Sequence, residues 1–195
     1  MIKKLILLGT FSIVFVSCGQ ESDGADAIDG VAPTHHRVFI TKATYTGNLI
    51  GIIGANQKCA QAASNAGLVR TYEAIISDTT GTAGNNLAFT GGIYTVDSAG
   101  NLNLIMANGA DLLSDTSLLN SIDYYEDGTA ATGVTPWTGT DSNGNVMTGD
   151  HCNNWASSNS GDSGFYGSSD KVDGQWTENN SGSCDASNPI FCVSQ

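Results

Sequence analysis

Four cysteines constrain this chain more than any other feature. Cys59, Cys152, Cys184 and Cys192 lie in a sequence of 195 residues. The segment ahead of them has the layout of a secretory leader: a basic start at Lys3 and Lys4, then an apolar run from Leu5 to Val16 that is too short to span a bilayer comfortably. An even number of cysteines in an exported chain reads as two disulfides, although four cysteines allow three pairings. Zinc ligation is disfavoured, because the close pairs separated by two to four residues that it uses are missing.

The end of the leader carries more information. Ser17 immediately before Cys18 resembles the pattern cleaved by the bacterial lipoprotein signal peptidase. The resemblance implies that Cys18 becomes the mature N-terminus and carries lipid, palmitate among the acyl chains. Two or three such chains anchor a protein stably where a single one would be marginal. Residues 19–36 are small and acidic with few apolar side chains, and are expected to form a flexible tether ahead of a single folded domain over residues 37–195.

Charge narrows the partners. Without Lys3 and Lys4, the basic residues are Arg37, Lys42, Lys58, Arg70 and Lys171, against nineteen acidic ones, a formal charge near −14. Nucleic acid, anionic lipid surfaces and sulfated glycans such as heparin need clustered Lys and Arg to replace counterions, and the sequence holds no such cluster. A basic protein surface is the partner this charge suits.

Along the chain, β-branched and aromatic residues over 37–45 predict a strand. Ala55, Cys59, Ala62, Ala63 and Ala66 share one helical face of GANQKCAQAASNAG, with Gly67 placed to cap its C-terminus. That face is small enough for close approach to a sheet and turns Cys59 inward. A second strand is expected over 71–77, a hairpin around DSAG at 97–100, a short second helix carrying Leu112, Leu113, Leu118, Leu119 and Ile122, and a last strand in PIFCVSQ. Residues 138–188 show little helix or strand signal, and a loop region of that length needs fastening, for which Cys152 and Cys184 are available.

The order of these pieces resembles the C-type-lectin-like domain: an early strand, a helix with one cysteine, a loop-rich half with two, and a final strand with the fourth. In detail, IGIIGANQKCAQAASNAGLVRTYEAIIS is similar to the helix region of endostatin, through Gly54-Ala55, Cys59, Ala66-Gly67-Leu68 and Thr71-x-x-Ala74. WTGTDSNGNVMTGDHCNNW resembles a second endostatin block, through Trp137, Gly139, Asp141, Asn143, Gly144, Cys152 and Trp155. The likeness extends over about residues 37–195, lapses across 79–110, and is shared with spirochaetal, leptospiral endostatin-like lipoproteins. It implies an α+β fold of two short helices around a small antiparallel sheet with long loops, and the disulfides Cys59–Cys192 and Cys152–Cys184. It also implies a non-enzymatic outer-membrane adhesin that binds host matrix or serum proteins. The alternative is a carbohydrate-binding lectin-like domain, against which stands the absence of the Glu-Pro-Asn or Gln-Pro-Asp triplet of sugar-binding C-type lectins.

Other constellations are read in that light. Gly161-Asp162-Ser163-Gly164 copies the surroundings of a serine-protease nucleophile, but His151 stands only twelve residues away, no second barrel is available, and a turn is expected instead. No catalytic residue, metal ligand or cofactor is assigned. Asp141 to Asn145 lacks the Gly and Glu that a calcium-binding EF-hand loop requires, and reads as Asx-turns. His35 and His36 read as solvent-exposed linker residues, since the histidine and aspartate that complete endostatin's zinc site have no counterpart here. Trp137 and Trp155 are expected to pack beneath the loops, whereas Trp176 and Tyr166 are expected to be exposed binding residues on a loop-rich face between Gly139 and Ser183.

Overall fold

The structure is a computed structural model that describes residues 30, 34–114 and 117–195. Cys18, the leader and most of the tether lie outside the described residues.

The architecture is a small α+β domain with few helices, a mixed sheet and two disulfides. Strands β1 (His36–Ile40), β2 (Tyr72–Ala74), β3 (Ile93–Val96), β4 (Leu102–Met106) and β7 (Phe191–Ser194) form a five-stranded sheet in the order β2-β7-β1-β3-β4. A separate two-stranded sheet pairs β5 (Ser163–Tyr166) with β6 (Asn180–Ser183).

The large sheet is not antiparallel throughout. β1 runs parallel to β3, with His36 opposite Ile93 and Arg37 opposite Tyr94. The β3–β4 hairpin is reached only after a long excursion through the helix and β2, and such a crossover delivers a strand parallel to the one it left.

Alternation along the strands shows where the cores sit. Val38, Ile40, Phe191 and Val193 point into one core with Ile93, Ile105 and Leu112. Phe39 and Cys192, one residue out of phase, point into the other with Tyr72, Ala74, Ala55, Cys59 and Ala62. The central strands are therefore buried on both faces, and all five residues of β1 are buried. This includes His36, whose ring Nδ1 lies 2.7 Å from the Ser194 carbonyl oxygen and whose Nε2 lies 3.3 Å from the Thr90 amide nitrogen. The expectation of an exposed linker histidine is overturned there, because the strand begins at His36 and its ring fills the end of the sheet.

Helix α1 (Gly51–Asn65) turns its alanine face onto β2 and β7, as the spacing predicts. It ends in a Schellman arrangement: Leu68 N–H donates to Ala63 O and Gly67 N–H to Ser64 O, with Gly67 at φ +75°. Cys59 bridges from this helix to Cys192 on β7 across 133 residues, and Cys152 bridges to Cys184 across 32. These are the pairs the resemblance implies. Loop-closure entropy makes the outer bridge worth about 5 kcal/mol and the inner one about 4 kcal/mol.

The short second helix expected to carry Leu112 to Ile122 is replaced. Among the described residues, the stretch holds only a 3₁₀ turn at Gly109–Asp111, while a short helix α2 (Ala83–Asn86) forms earlier in the chain. The reason lies in where the backbone donors go: Leu118 N–H bonds to Val172 O and Leu119 N–H to Ile105 O, so neither can serve a helical ladder. Tertiary pairing has overridden a helix-like spacing of leucines.

This placement separates two neighbouring leucines. Leu118 is 4% exposed in the first core and Leu119 is 58% exposed. Leu118→Ala should lower stability by about 2–5 kcal/mol and Leu119→Ala by less than about 0.5 kcal/mol, read from urea denaturation midpoints. Equal losses at both positions would contradict the packing.

Candidate functional site

The loop-rich half rests on two tryptophans and the inner disulfide. Trp137 and Trp155 are fully buried with ring centroids 6.0 Å apart. Each indole N–H has a backbone acceptor at 2.9 Å, Tyr45 O for Trp137 and Ser77 O for Trp155. Cys152 and Cys184 sit in the same core. The disulfide is closely enclosed: a Cβ added at Gly47 would lie 2.2 Å from Cys152 Sγ, and one at Gly164 would lie 2.6 Å from it. Only glycine fits at those two positions.

Residues 152–155 carry the strongest local strain. Helix α3 (Cys152–Trp155) is a single left-handed turn, with φ of 49°, 53°, 57° and 56° in succession. Left-handed backbone costs roughly 1–2 kcal/mol per ordinary residue, less at asparagine. Here Asn153 and Asn154 supply the two middle positions. The turn is held from every side. His151 Nδ1 accepts from Asn154 N–H at 2.9 Å, Asn154 Oδ1 accepts from Thr79 Oγ1 at 2.8 Å, and Trp155 O accepts from Leu49 N–H at 2.9 Å. Sequence reasoning missed this turn, and the adjacent asparagines were its one signal.

Beside the turn, Gly149, His151, Asn153, Gly161, Asp162 and Ser163 line an open polar hollow of about 360 Å³. The β5–β6 hairpin forms its neighbouring wall, in the register Ser163 opposite Ser183 and Tyr166 opposite Asn180. Ser163 and Gly164 therefore belong to a strand, and the turn precedes them, where Asp162 N–H donates to Asn159 O. Ser163 Oγ donates to the Asp150 carboxylate and Ser157 Oγ to that of Asp162. His151 Nδ1 is thus engaged by the Asn154 N–H, and the Ser163 hydroxyl by Asp150.

The hollow lies in the acidic half of the molecule. From Asp123 to Asp185 the sequence carries ten acidic residues and a single Lys or Arg, Lys171. Asp141 is saturated by its own turn: Oδ1 accepts from the backbone N–H of Asn143 and Asn145, and Oδ2 from the Asn145 side chain. The DSAGN hairpin repeats that pattern at Asp97, where the Asn101 side chain and then backbone N–H groups hold the carboxyl below its ordinary range. Among the described residues, no three His, Cys, Asp or Glu side chains gather in a metal-ligating arrangement.

Of the two expected binding aromatics, Trp176 is misplaced. It is 2% exposed and packs edge-on against Phe191 at 5.5 Å in the first core. The 3₁₀ turn Gly174–Trp176, capped by Asp173 accepting from Gln175 N–H, swings the indole inward beneath its polar neighbours. Tyr166 is half-buried, its ring edge-on to Trp137 at 6.1 Å.

Fold and site together define a disulfide-fastened α+β domain that presents preformed loops. The chain belongs to the family described as a protein of unknown function (DUF1554), whose family model matches residues 42–172. No curated protein matches it. Cys59 and Cys152 fall inside the matched span, and Cys184 and Cys192 beyond it.

The left-handed turn has a direct test at its exposed residue. Asn153→Gly should leave stability within about 0.5 kcal/mol, while Asn153→Val should cost roughly 1–2 kcal/mol, because a β-branched side chain is poorly tolerated at positive φ. Thermal unfolding of the two variants distinguishes this from an ordinary right-handed turn, where neither change would carry that contrast.

Proposed function

We propose that this chain is an endostatin-like, C-type-lectin-like domain of an outer-membrane lipoprotein, anchored through Cys18, that works as a non-enzymatic binding module for host matrix or serum proteins. The observation that carries the reading is the loop face fastened by Cys152–Cys184 over the buried Trp137–Trp155 pair. Loops already ordered on a rigid scaffold bind with little further entropic cost. The bridge from the helix to the terminal strand, with the second bridge inside the loop-rich half, supports the family likeness.

With Trp176 in the core, the contact surface is the polar hollow and the outer face of the β5–β6 hairpin, including Tyr166, Asn153 and Asp162. The charge of this half favours a basic protein surface and disfavours nucleic acid and heparin. A lectin-like reading is the second possibility. It is favoured by the hollow's mixture of carboxylate, hydroxyl, amide and imidazole groups, which suits sugar hydroxyls.

A soluble chain of residues 19–195 should capture specific proteins from serum or matrix extract. Asp162→Lys, verified as folded by circular dichroism, should reduce that capture about tenfold or more, as loss of a charge contact at an interface does. Retention of glycans with no retained protein would replace the first reading by the second. The anchor is tested separately: the full chain should partition into detergent and Cys18→Ala should stay aqueous, an outcome independent of what the domain binds.

A further inference from the structure

We propose that Asn180 is a site of spontaneous backbone-directed modification, at which the folded protein converts asparagine through a succinimide to aspartate and isoaspartate. The observation is local. Ser181 N–H donates to Oδ1 of the preceding residue's own side chain, Asn180, at 2.9 Å. The carbonyl carbon Cγ is one C=O bond further, about 1.23 Å, so the nitrogen stands within about 3–4 Å of it, close to the spacing of a near-attack conformer. Both residues are exposed at the start of β6, where water and hydroxide reach them.

Sequence alone would choose other positions. Asn108-Gly109 and Asn143-Gly144 are the two Asn-Gly pairs, and glycine shields its nitrogen least. In the fold both nitrogens are directed elsewhere. Gly109 N–H donates to Gly91 O at 2.7 Å, while the Asn108 side chain is tied to Asp111 at 3.0 Å. Gly144 N–H donates to Asp141 O at 3.1 Å, in the turn that Asp141 also fixes through Asn143 N–H. Ser181 is the one of the three whose nitrogen is aimed at the side chain that precedes it.

The chemistry needs only water and base. The Ser181 amide nitrogen gives its proton to hydroxide and attacks Cγ, forming the N–Cγ bond. The Cγ–Nδ2 bond breaks, and ammonia leaves after taking a proton from water. Water adding at Cγ breaks the N–Cγ bond and gives aspartate, whereas water adding at the backbone carbonyl breaks that carbon's bond to nitrogen and gives isoaspartate, with the chain then running through Cγ. Both products add a carboxylate to the hairpin face that bears Tyr166. Isoaspartate also lengthens the backbone at the Tyr166–Asn180 pair.

The full chain is incubated at mildly alkaline pH, once native and once reduced and denatured. Asparagine conversion is then mapped by peptide mass spectrometry, with isoaspartate detected by a protein isoaspartyl methyltransferase. In the native protein Asn180 should convert before Asn108 and Asn143. Unfolding should reverse the order, slowing Asn180 by roughly tenfold relative to the two Asn-Gly sites, the loss expected when an oriented attack becomes a random one. Asn180→Gln, which requires a larger ring to close, should remove the modification at 180 and leave the rate at Asn143 unchanged. If that variant does not fold, the native-against-denatured comparison stands by itself. Conversion of Asn143 or Asn108 first in the native protein, or a native rate at Asn180 no greater than the denatured one, would overturn the assignment.

Discussion

The C-terminal strand is the constraint on which the rest of this domain depends. β7 lies between β2 and β1, pairs with both in antiparallel register, and sends Phe191 and Val193 into one core and Cys192 into the other. The disulfide to Cys59 then ties the same four residues to the only long helix among the described residues. Neither core can close before β7 is in place. Most of the pairing that defines the sheet is therefore non-local, a topology associated with slow folding, and the outer bridge offsets part of that loop-closure cost by limiting how far the unfolded chain can spread.

The loop-rich half solves a different problem with the same means. Its backbone carries little regular structure, and its composition provides few apolar side chains with which to bury itself. Stability comes instead from a few concentrated anchors: two buried indoles with satisfied N–H groups, a disulfide pressed between Gly47 and Gly164, and Trp176 folded under against Phe191. Large rings bury much area per residue fixed, so three tryptophans can hold several tens of residues that would otherwise remain unordered. The strained left-handed turn at 152–155 persists because these anchors over-determine it, the circumstance in which strained backbone survives. The strain lies next to the polar hollow, and it sets the direction in which Asn153 faces solvent.

Much of the scaffold was readable from residue types. The helix face of Ala55, Cys59, Ala62 and Ala63 followed from its period, as did the cap at Gly67 and the hairpin around Gly100, because each depends on neighbours within a few positions. The long-range contacts were less accessible. Leu112 to Ile122 carries a helix-like spacing, yet the N–H groups of Leu118 and Leu119 are claimed by Val172 and Ile105, partners outside the segment itself. Trp176, set among polar residues, looked exposed, since nothing local reveals that a single 3₁₀ turn directs its ring into the core. His36 looked like linker for the same reason: its partners are Ser194 and Thr90.

What the sequence determined by itself was therefore local and compositional. It set the amphipathic helix, the turn chemistry, the acidic balance of the chain, and the supply of four cysteines for two bridges. Tertiary structure decided the parallel pairing of β1 with β3, the burial of both sheet faces, the inward course of Trp176, the left-handed turn and the meeting of His151, Asn153, Asp162 and Ser163 around one hollow. The division has one physical cause. Backbone propensity and side-chain period act over a few residues, while the free energy that chooses between alternative placements of a whole segment comes from burial and hydrogen bonding with partners well beyond that range.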